Sequence, residues 1–321
     1  MQLNELNGLK RNKMPEKTIR IGTRDSELAL WQATNVQKQL TELGYKTEII
    51  AVKSTGDLIL DKPLYELGIK GIFTKTLDVA MINAQVDIAV HSMKDVPTAL
   101  PIGIVQAAVL ERANFNDILV YNNNLDFLEK SGTIATGSLR RQAMWLNKYP
   151  NHKVVDLRGN VNTRMQKLQD NNWNGAIFAA AGLERINIKP DNFINLDWMI
   201  PAPAQGAMVI VAMAKDEFCK EAVAQLNHLE TDICTYIERQ FLKTLEGGCT
   251  APIGALATFN EKDDTINFQG QLLSIDGKQK LKIQKIVDIS EWKKLGFNCA
   301  QEILNNGGSE LMAEIKKQLK K

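Results

Sequence analysis

Cysteine and histidine are scarce, with four of the first and three of the second in 321 residues. Cys219, Cys234, Cys249 and Cys299 form no C-x-x-C pair, and a chain this long needs no disulfide staples, so a reducing cytoplasm is the expected setting. His91, His152 and His228 stand far apart, which argues against a histidine-rich metal site; no metal is expected. Long apolar runs are missing too. The longest, Ala207 to Ala214, has eight residues, against about 20 for a bilayer-spanning helix, so no membrane partner is expected. Charge of one sign is also absent: 39 basic and 37 acidic side chains leave +2. That gives no general case for nucleic acid, and any anion recognition must come from local clustering. There is no G-x-G-x-x-G, no Walker loop and no H-E-x-x-H. Residues 1–18 hold no apolar core of a secretory signal and read as a disordered lead-in.

A hydrophobic content of 44% is that of a globular chain, and the length suits roughly two domains of about 150 residues or three smaller ones. The first part alternates strand and helix signals. Thr18 to Gly22 is β-like, Ser26 is placed to cap a helix ending near Gly44, and Glu48 to Val52 is apolar and β-branched. An amphipathic run from Thr74 to Asn83 and an apolar one from Val86 to Val90 complete a βαβαβ order, which predicts a parallel sheet. After Glu111 to Asn114 the pattern restarts. Strands are expected at Thr133–Thr136, Lys153–Leu157 and Gly175–Ala180, with helices at Ser138–Lys148 and Asn162–Asp170. The apolar strand at Ala207–Met213 has no polar face, so both its sides should be covered. Beyond Leu229 the style changes to one long helix, three alternating strands with a hairpin turn at Asp276-Gly277, and two closing helices beginning near Ser290 and Ser309. The fold class is α/β: two α/β units followed by an α+β unit with a small antiparallel sheet.

Arginine is unevenly placed. Five of the ten, Arg140, Arg141, Arg158, Arg164 and Arg185, fall within 46 positions. Most sit where strands end or helices begin, on the sheet edge where ligands of α/β proteins bind. Helix N-termini offer free N–H groups, and guanidinium groups match carboxylates bidentately, so this grouping points to a polyanion. Arg24, Ser26, the run Ser54 to Asp57, and Lys70 occupy equivalent places in the first unit. Lys94 and Asp95 directly follow an apolar strand, where an ammonium beside a carboxylate suits acid–base or electrostatic work. Asp95 also suits a turn before Pro97, and His91 reads better as a satisfied structural histidine. Glu246-Gly-Gly-Cys249 puts a thiol on a flexible turn after a helix. The other three cysteines fall in helix-like segments and read as small buried hydrophobes.

Several stretches, taken in order, resemble the porphobilinogen deaminase (hydroxymethylbilane synthase) family. They are Ile21–Gln32 (IGTRDSELALWQ), Lys70–Phe73, Asp87–Pro97 (DIAVHSMKDVP), Gly137–Gln142 (GSLRRQ), Leu157–Val161, Ala181–Arg185, Pro203–Gly206 and Glu246–Cys249. The resemblance implies two periplasmic-binding-protein-like domains, residues 19–110 with 207–226 and residues 111–206, and a third at 227–321 that carries the cysteine. It implies a dipyrromethane cofactor in thioether linkage to Cys249, onto which four porphobilinogen molecules condense head to tail with loss of ammonia, before water releases hydroxymethylbilane. Asp95, Lys94 and Arg24 would be catalytic. Ser138, Arg140, Arg141 and Arg158 would hold the cofactor with Lys94 and Asp95. Arg24, Ser26, Lys70, Arg158, Arg164, Arg185 and Gln205 would hold substrate carboxylates. The family precedent also implies a monomer. The sequence departs from the family pattern at Gly137, where a serine is frequent, at Asp25, and at Pro203-Ala204. The competing reading is a non-catalytic solute-binding protein, since the two-domain cleft alone does not separate receptor from enzyme.

Overall fold

The computed structural model describes residues 17–53, 74–245 and 251–319, and among them three sheets. The first contains β1 (Ile19–Arg24), β2 (Thr47–Val52), β3 (Ile88–Ser92) and β4 (Ile104–Val109), with α1 (Glu27–Glu42) and α2 (Lys75–Ile82). Helix α1 buries Ala29, Ala33, Val36 and Leu40, four positions three or four apart that line one face. It stops at Leu43, and Gly44 follows at φ +91°, a left-handed backbone that glycine adopts without steric cost.

The strand order is β2-β1-β3-β10-β4, where β10 is Met208–Met213. The parallel pairing expected of the βαβαβ run is present, and the sheet as a whole is mixed because β10 joins it. β1 pairs in parallel with β2 and β3, but β10 runs antiparallel to both β3 and β4. A βαβ crossover enforces parallel pairing, whereas β10 returns from a distant part of the chain and carries no such constraint. Both its faces are covered, as the sequence demands. Met208, Ile210 and Ala212 pack with residues of α1 and of α6 (Glu217–Ala224), while Val209 and Val211 pack with Leu77, Ala80 and Met81 of α2.

The second sheet has the order β7-β6-β8-β5-β9 and repeats the first in plan. Its strands are β5 (Asp117–Tyr121), β6 (Thr133–Ala135), β7 (Lys153–Val155), β8 (Gly175–Ala179) and β9 (Phe193–Asn195). Here β5, which follows the crossing from the first sheet, is the antiparallel strand beside β8. Helices α3 (Leu139–Lys148), α4 (Val161–Asp170) and α5 (Ala180–Arg185) accompany it. The third sheet is the antiparallel set β11 (Ile253–Asn260), β12 (Thr265–Leu273) and β13 (Lys280–Asp288). Its inner residues Ala255, Ala257 and Phe268 share a core with Ile237 and Phe241 of α7 (Leu229–Thr244). The helices α8 (Trp292–Ile303) and α9 (Ser309–Leu319) close the chain. The turn at Asp276-Gly277 is present, with Gly277 at φ +74°.

One buried carboxylate fastens the three parts. Glu238 of α7 pairs with Arg112 at 2.6 Å and accepts from the backbone N–H of Ala204 (2.6 Å) and of Ala257 (2.8 Å). Arg112 lies in the crossing to the second sheet and Ala204 in the return, so both crossings are pinned to α7. Lys17, within the expected lead-in, places its ammonium 2.7 Å from Asp216 of the first unit.

Candidate active site

The strand ends and helix starts of the first unit share one edge, and the sequence puts polar groups there. Arg24 ends β1 and Ser26 takes the cap position of α1. The Ser26 side chain makes no capping hydrogen bond. It lines a cavity instead, with Arg24, Gln32, His91, Ser92 and Asp95. Gln32 donates to the Ser92 hydroxyl at 2.9 Å. After β3 the chain makes a single turn, Met93–Asp95, that presents Lys94 and Asp95. His91 does not fit the expectation of a satisfied histidine. It is buried, but among the described residues its Nε2 has no hydrogen-bond partner. Burial, and then the positive charge of Arg24, push its pKa down to about 4, so the ring is neutral near pH 7.

The second unit supplies the cations. Ser138 caps α3 by accepting from the Arg141 backbone N–H at 3.4 Å. Arg140 and Arg141 are both buried and both pair with Asp117, at 2.7 and 2.8 Å. Burial alone would raise the Asp117 pKa, but the two guanidinium groups outweigh it and hold the carboxyl well below the usual range. Arg141 also donates to the Ile177 carbonyl, so its fork faces the protein. Arg140 donates to the Ile200 carbonyl, and its buried Nε has no partner among the described residues. Asp117 was not legible as a site residue. Its only signal is an acid at the head of an otherwise apolar strand.

Gln205 joins the two units. Its side chain accepts from Lys94 at 3.0 Å and donates to Asp117 at 2.9 Å. Burial, and next the repulsion of Arg141, push the Lys94 pKa down to about 8, against the pull of Asp95 and Asp117. Arg164, on α4, donates to the Gly159 carbonyl. Its pKa falls to about 10, first through burial and then through Arg141, while Asp95 acts in the opposite sense. Asp95 thus acts electrostatically on a lysine of its own unit and an arginine of the other. Arg158 is buried, and desolvation lowers its pKa against the charge of Asp156. Arg185 donates to the Gly206 carbonyl at 2.7 Å and lies 5.7 Å from the Trp31 ring centroid, linking α5 to α1. Burial lowers its pKa to about 10.

The structure therefore gathers Arg24, Ser26 and Asp95 around one cavity. It couples Lys94, Gln205, Arg140, Arg141 and Arg164 through Asp117 and Asp95. Ser138, Arg158 and Arg185 border this group through α3, the β7–α4 loop and α5. Cys249, Lys70 and the run Ser54 to Asp57 lie outside the described residues. At Gly137 a side chain would meet the Leu157 carbonyl at 2.6 Å, so glycine lets the two loops close on each other. Ala204 takes φ +63°, a left-handed backbone that glycine would occupy more easily.

Residues 19–221 match the family model described as "Porphobilinogen deaminase, dipyromethane cofactor binding domain", and residues 233–305 match "Porphobilinogen deaminase, C-terminal domain". A protein of Methanocaldococcus jannaschii named probable porphobilinogen deaminase is 42% identical over 289 residues, which cover 87% of this chain and 98% of that one. The porphobilinogen deaminase of Geotalea uraniireducens is 40% identical over 94% of this chain and 96% of its own. The chloroplastic one of Oryza sativa is 40% identical over 92% of this chain and 84% of its own. Among solved structures, an ancestral cationic amino acid solute-binding protein aligns with a TM-score of 0.44 and 15% identity over 65% of this chain and 87% of that one. A likeness of that degree decides nothing about function.

Proposed function

Because the chain belongs to the porphobilinogen deaminase family, we propose that it condenses porphobilinogen units head to tail and releases a linear tetrapyrrole. In reaction class it is a transferase. The carrying observation is Asp95, one carboxylate that lines a cavity with Arg24 and Ser26 on the turn that also presents Lys94, itself bonded to Gln205.

The chain carries the family's dipyrromethane cofactor-binding domain, and the donor set fits that group. Each of its rings bears an acetate and a propionate arm. The buried Nε of Arg140, without a partner among the described residues, is a donor of the kind such an arm requires. Arg140, Arg158 and Lys94 would hold the arms, and Cys249 would carry the thioether. When bound, the dipyrromethane supplies the free pyrrole α-carbon on which the chain grows.

The remaining work falls to side chains. Arg24, Ser26, Arg164 and Arg185 hold the carboxylates of incoming porphobilinogen. Its aminomethyl C–N bond breaks with the electron pair leaving on ammonia, and the methylene carbon becomes part of a pyrrole cation. Asp95 accepts from the pyrrole N–H and stabilises that positive charge as it develops. A fixed carboxylate in a water-poor cleft does this far better than one in bulk solvent. Held by Arg140, Arg158 and Lys94, the dipyrromethane would supply the nucleophilic carbon for the new C–C bond, with the displaced proton passing to water. A tether makes each addition effectively intramolecular, which explains how one site can extend one chain repeatedly.

Intact mass spectrometry tests this reading. The protein purified from cells able to make porphobilinogen should carry the excess mass of two pyrrole units, and Cys249→Ala should lose it. A bare chain mass would favour a solute receptor. Asp95→Ala should keep the fold and lose about 10²- to 10³-fold in turnover; wild-type turnover would remove the role given to Asp95. We further assign a monomer, which light scattering checks, and a cytoplasmic setting, which the free, buried thiols of Cys219, Cys234 and Cys299 fit. Among the described residues no helix is long and apolar enough to cross a membrane.

A further inference from the structure

The turn that presents Lys94 and Asp95 is short. Within it, the Val96 N–H donates to the Met93 carbonyl at 3.1 Å, and Pro97 follows with no N–H to give. The carbonyls of Val96 and Pro97 need donors from elsewhere, and that of Met93 has a second lone pair free. One side chain supplies them. Arg239, on α7 of the third unit, donates from Nη1 to Val96 at 2.9 Å and to Met93 at 3.3 Å, and from Nη2 to Pro97 at 2.7 Å. These carbonyls bracket Lys94 and Asp95 on both sides.

Two features make this fork a rigid brace. A guanidinium is planar, so its N–H groups fix several acceptors relative to one another, which an ammonium cannot do. Its neighbour Glu238 is fully buried and bound to Arg112, Ala204 and Ala257, so the helix segment that carries Arg239 is itself fixed. Arg239 lines a cavity with Met93, Thr98, Leu100 and Tyr236. That cavity shares no residue with the one lined by Arg24 and Asp95. Among the described residues, the hydrogen bonds of Arg239 toward the Asp95 turn run to backbone carbonyls.

We propose that Arg239 is a positioning residue of the deaminase reaction, holding the Met93–Pro97 backbone so that Asp95 and Lys94 face the substrate. This rests on the function proposed above. A displacement near 1 Å at a reacting group can cost about 10²-fold in rate, so loss of the brace should lower kcat while substrate carboxylates still find their partners.

The test uses the cofactor-loaded enzyme. Arg239→Leu should retain the two-pyrrole mass, lose about tenfold or more in kcat, and keep KM for porphobilinogen within about twofold. Its alkaline activity limb should also move to higher pH, since a loosened turn returns Lys94 to water. Arg239→Lys, which keeps charge and bulk but serves fewer acceptors, should fall between. Gln106→Ala is the control. It removes a different contact between the same two units, Gln106 to Asp232 at 2.9 Å, and should leave kcat near wild type. A loaded Arg239→Leu enzyme with kcat within twofold of wild type would overturn the proposal, as would an equal loss in Gln106→Ala. Should Arg239→Leu fail to fold, Arg239→Lys decides: wild-type kcat there overturns the proposal. An inactive wild-type protein, or a fully active Asp95→Ala, would instead sink the deaminase reading itself.

Discussion

Replacing Asp117 by asparagine asks how much the second unit depends on one buried charge. The side chain is fully buried, and its two oxygens meet Arg140 at 2.7 Å and Arg141 at 2.8 Å. Asparagine keeps the shape and removes the charge. Two buried guanidinium groups then face each other without a counter-ion. Removing one partner of a buried ion pair costs about 3–5 kcal/mol, because the charge left behind remains desolvated. At about 1.4 kcal/mol per tenfold, that is roughly a hundred- to several-thousand-fold in local opening. Hydrogen–deuterium exchange of peptides covering β5 and β8 reads this directly, since Asp117 opens β5 and Ile177 of β8 accepts from Arg141. The pH dependence has a definite sign. The folded Asp117 pKa lies below its unfolded value, so its contribution is complete above the usual carboxylate range and fades as pH falls below that range. The gap between wild type and variant should therefore be flat from pH 6 to 8 and shrink in acid. Sulfate should narrow it at neutral pH by supplying an anion to the two arginines. A gap under about 1 kcal/mol, or one that widens in acid, would refute the reasoning.

Three further outcomes follow from the geometry. With a Lys94 pKa of about 8, the cation is lost as pH rises past 8, so turnover should decline on that side; Lys94→Gln should be slow and lack this limb, and an unmoved limb would assign it elsewhere. Gly277→Ala forces a side chain into the left-handed region and against the Ala143 carbonyl of α3. It should cost about 2 kcal/mol or more in denaturant unfolding, and a neutral result would deny that the third unit docks there. Glu238→Gln should cost about 3 kcal/mol and speed proteolysis at residues 110–116, because both crossings lose their anchor; unchanged cleavage would contradict the pinning of Arg112 and Ala204.

Much of the fold was legible because it follows from local periodicity. The four buried positions of α1, the unbroken apolar β10 and the Asp276-Gly277 turn each carry their own signal in a few neighbouring residues. β4, β5 and the short helix α5 went unread. Each is brief, at six residues or fewer, so local sequence cannot separate it from loop. The arginine grouping was legible as composition, and the resemblance supplied roles. What it could not show is that Arg140 and Arg141 divide their bonds between Asp117 and the protein backbone.

By itself the sequence determined that this chain is an α/β protein with an arginine-rich edge, a Lys94-Asp95 pair after an apolar strand, and the motif order of one family. Those are properties of near neighbours along the chain. Only the tertiary structure decided that β10 runs antiparallel, that Gln205 bridges Lys94 to Asp117 from 111 and 88 positions away, and that Arg239 braces the Asp95 turn from over 140 positions away. Pairings over such separations depend on where two crossings of the chain bring distant segments, and no period or propensity in the sequence encodes that meeting.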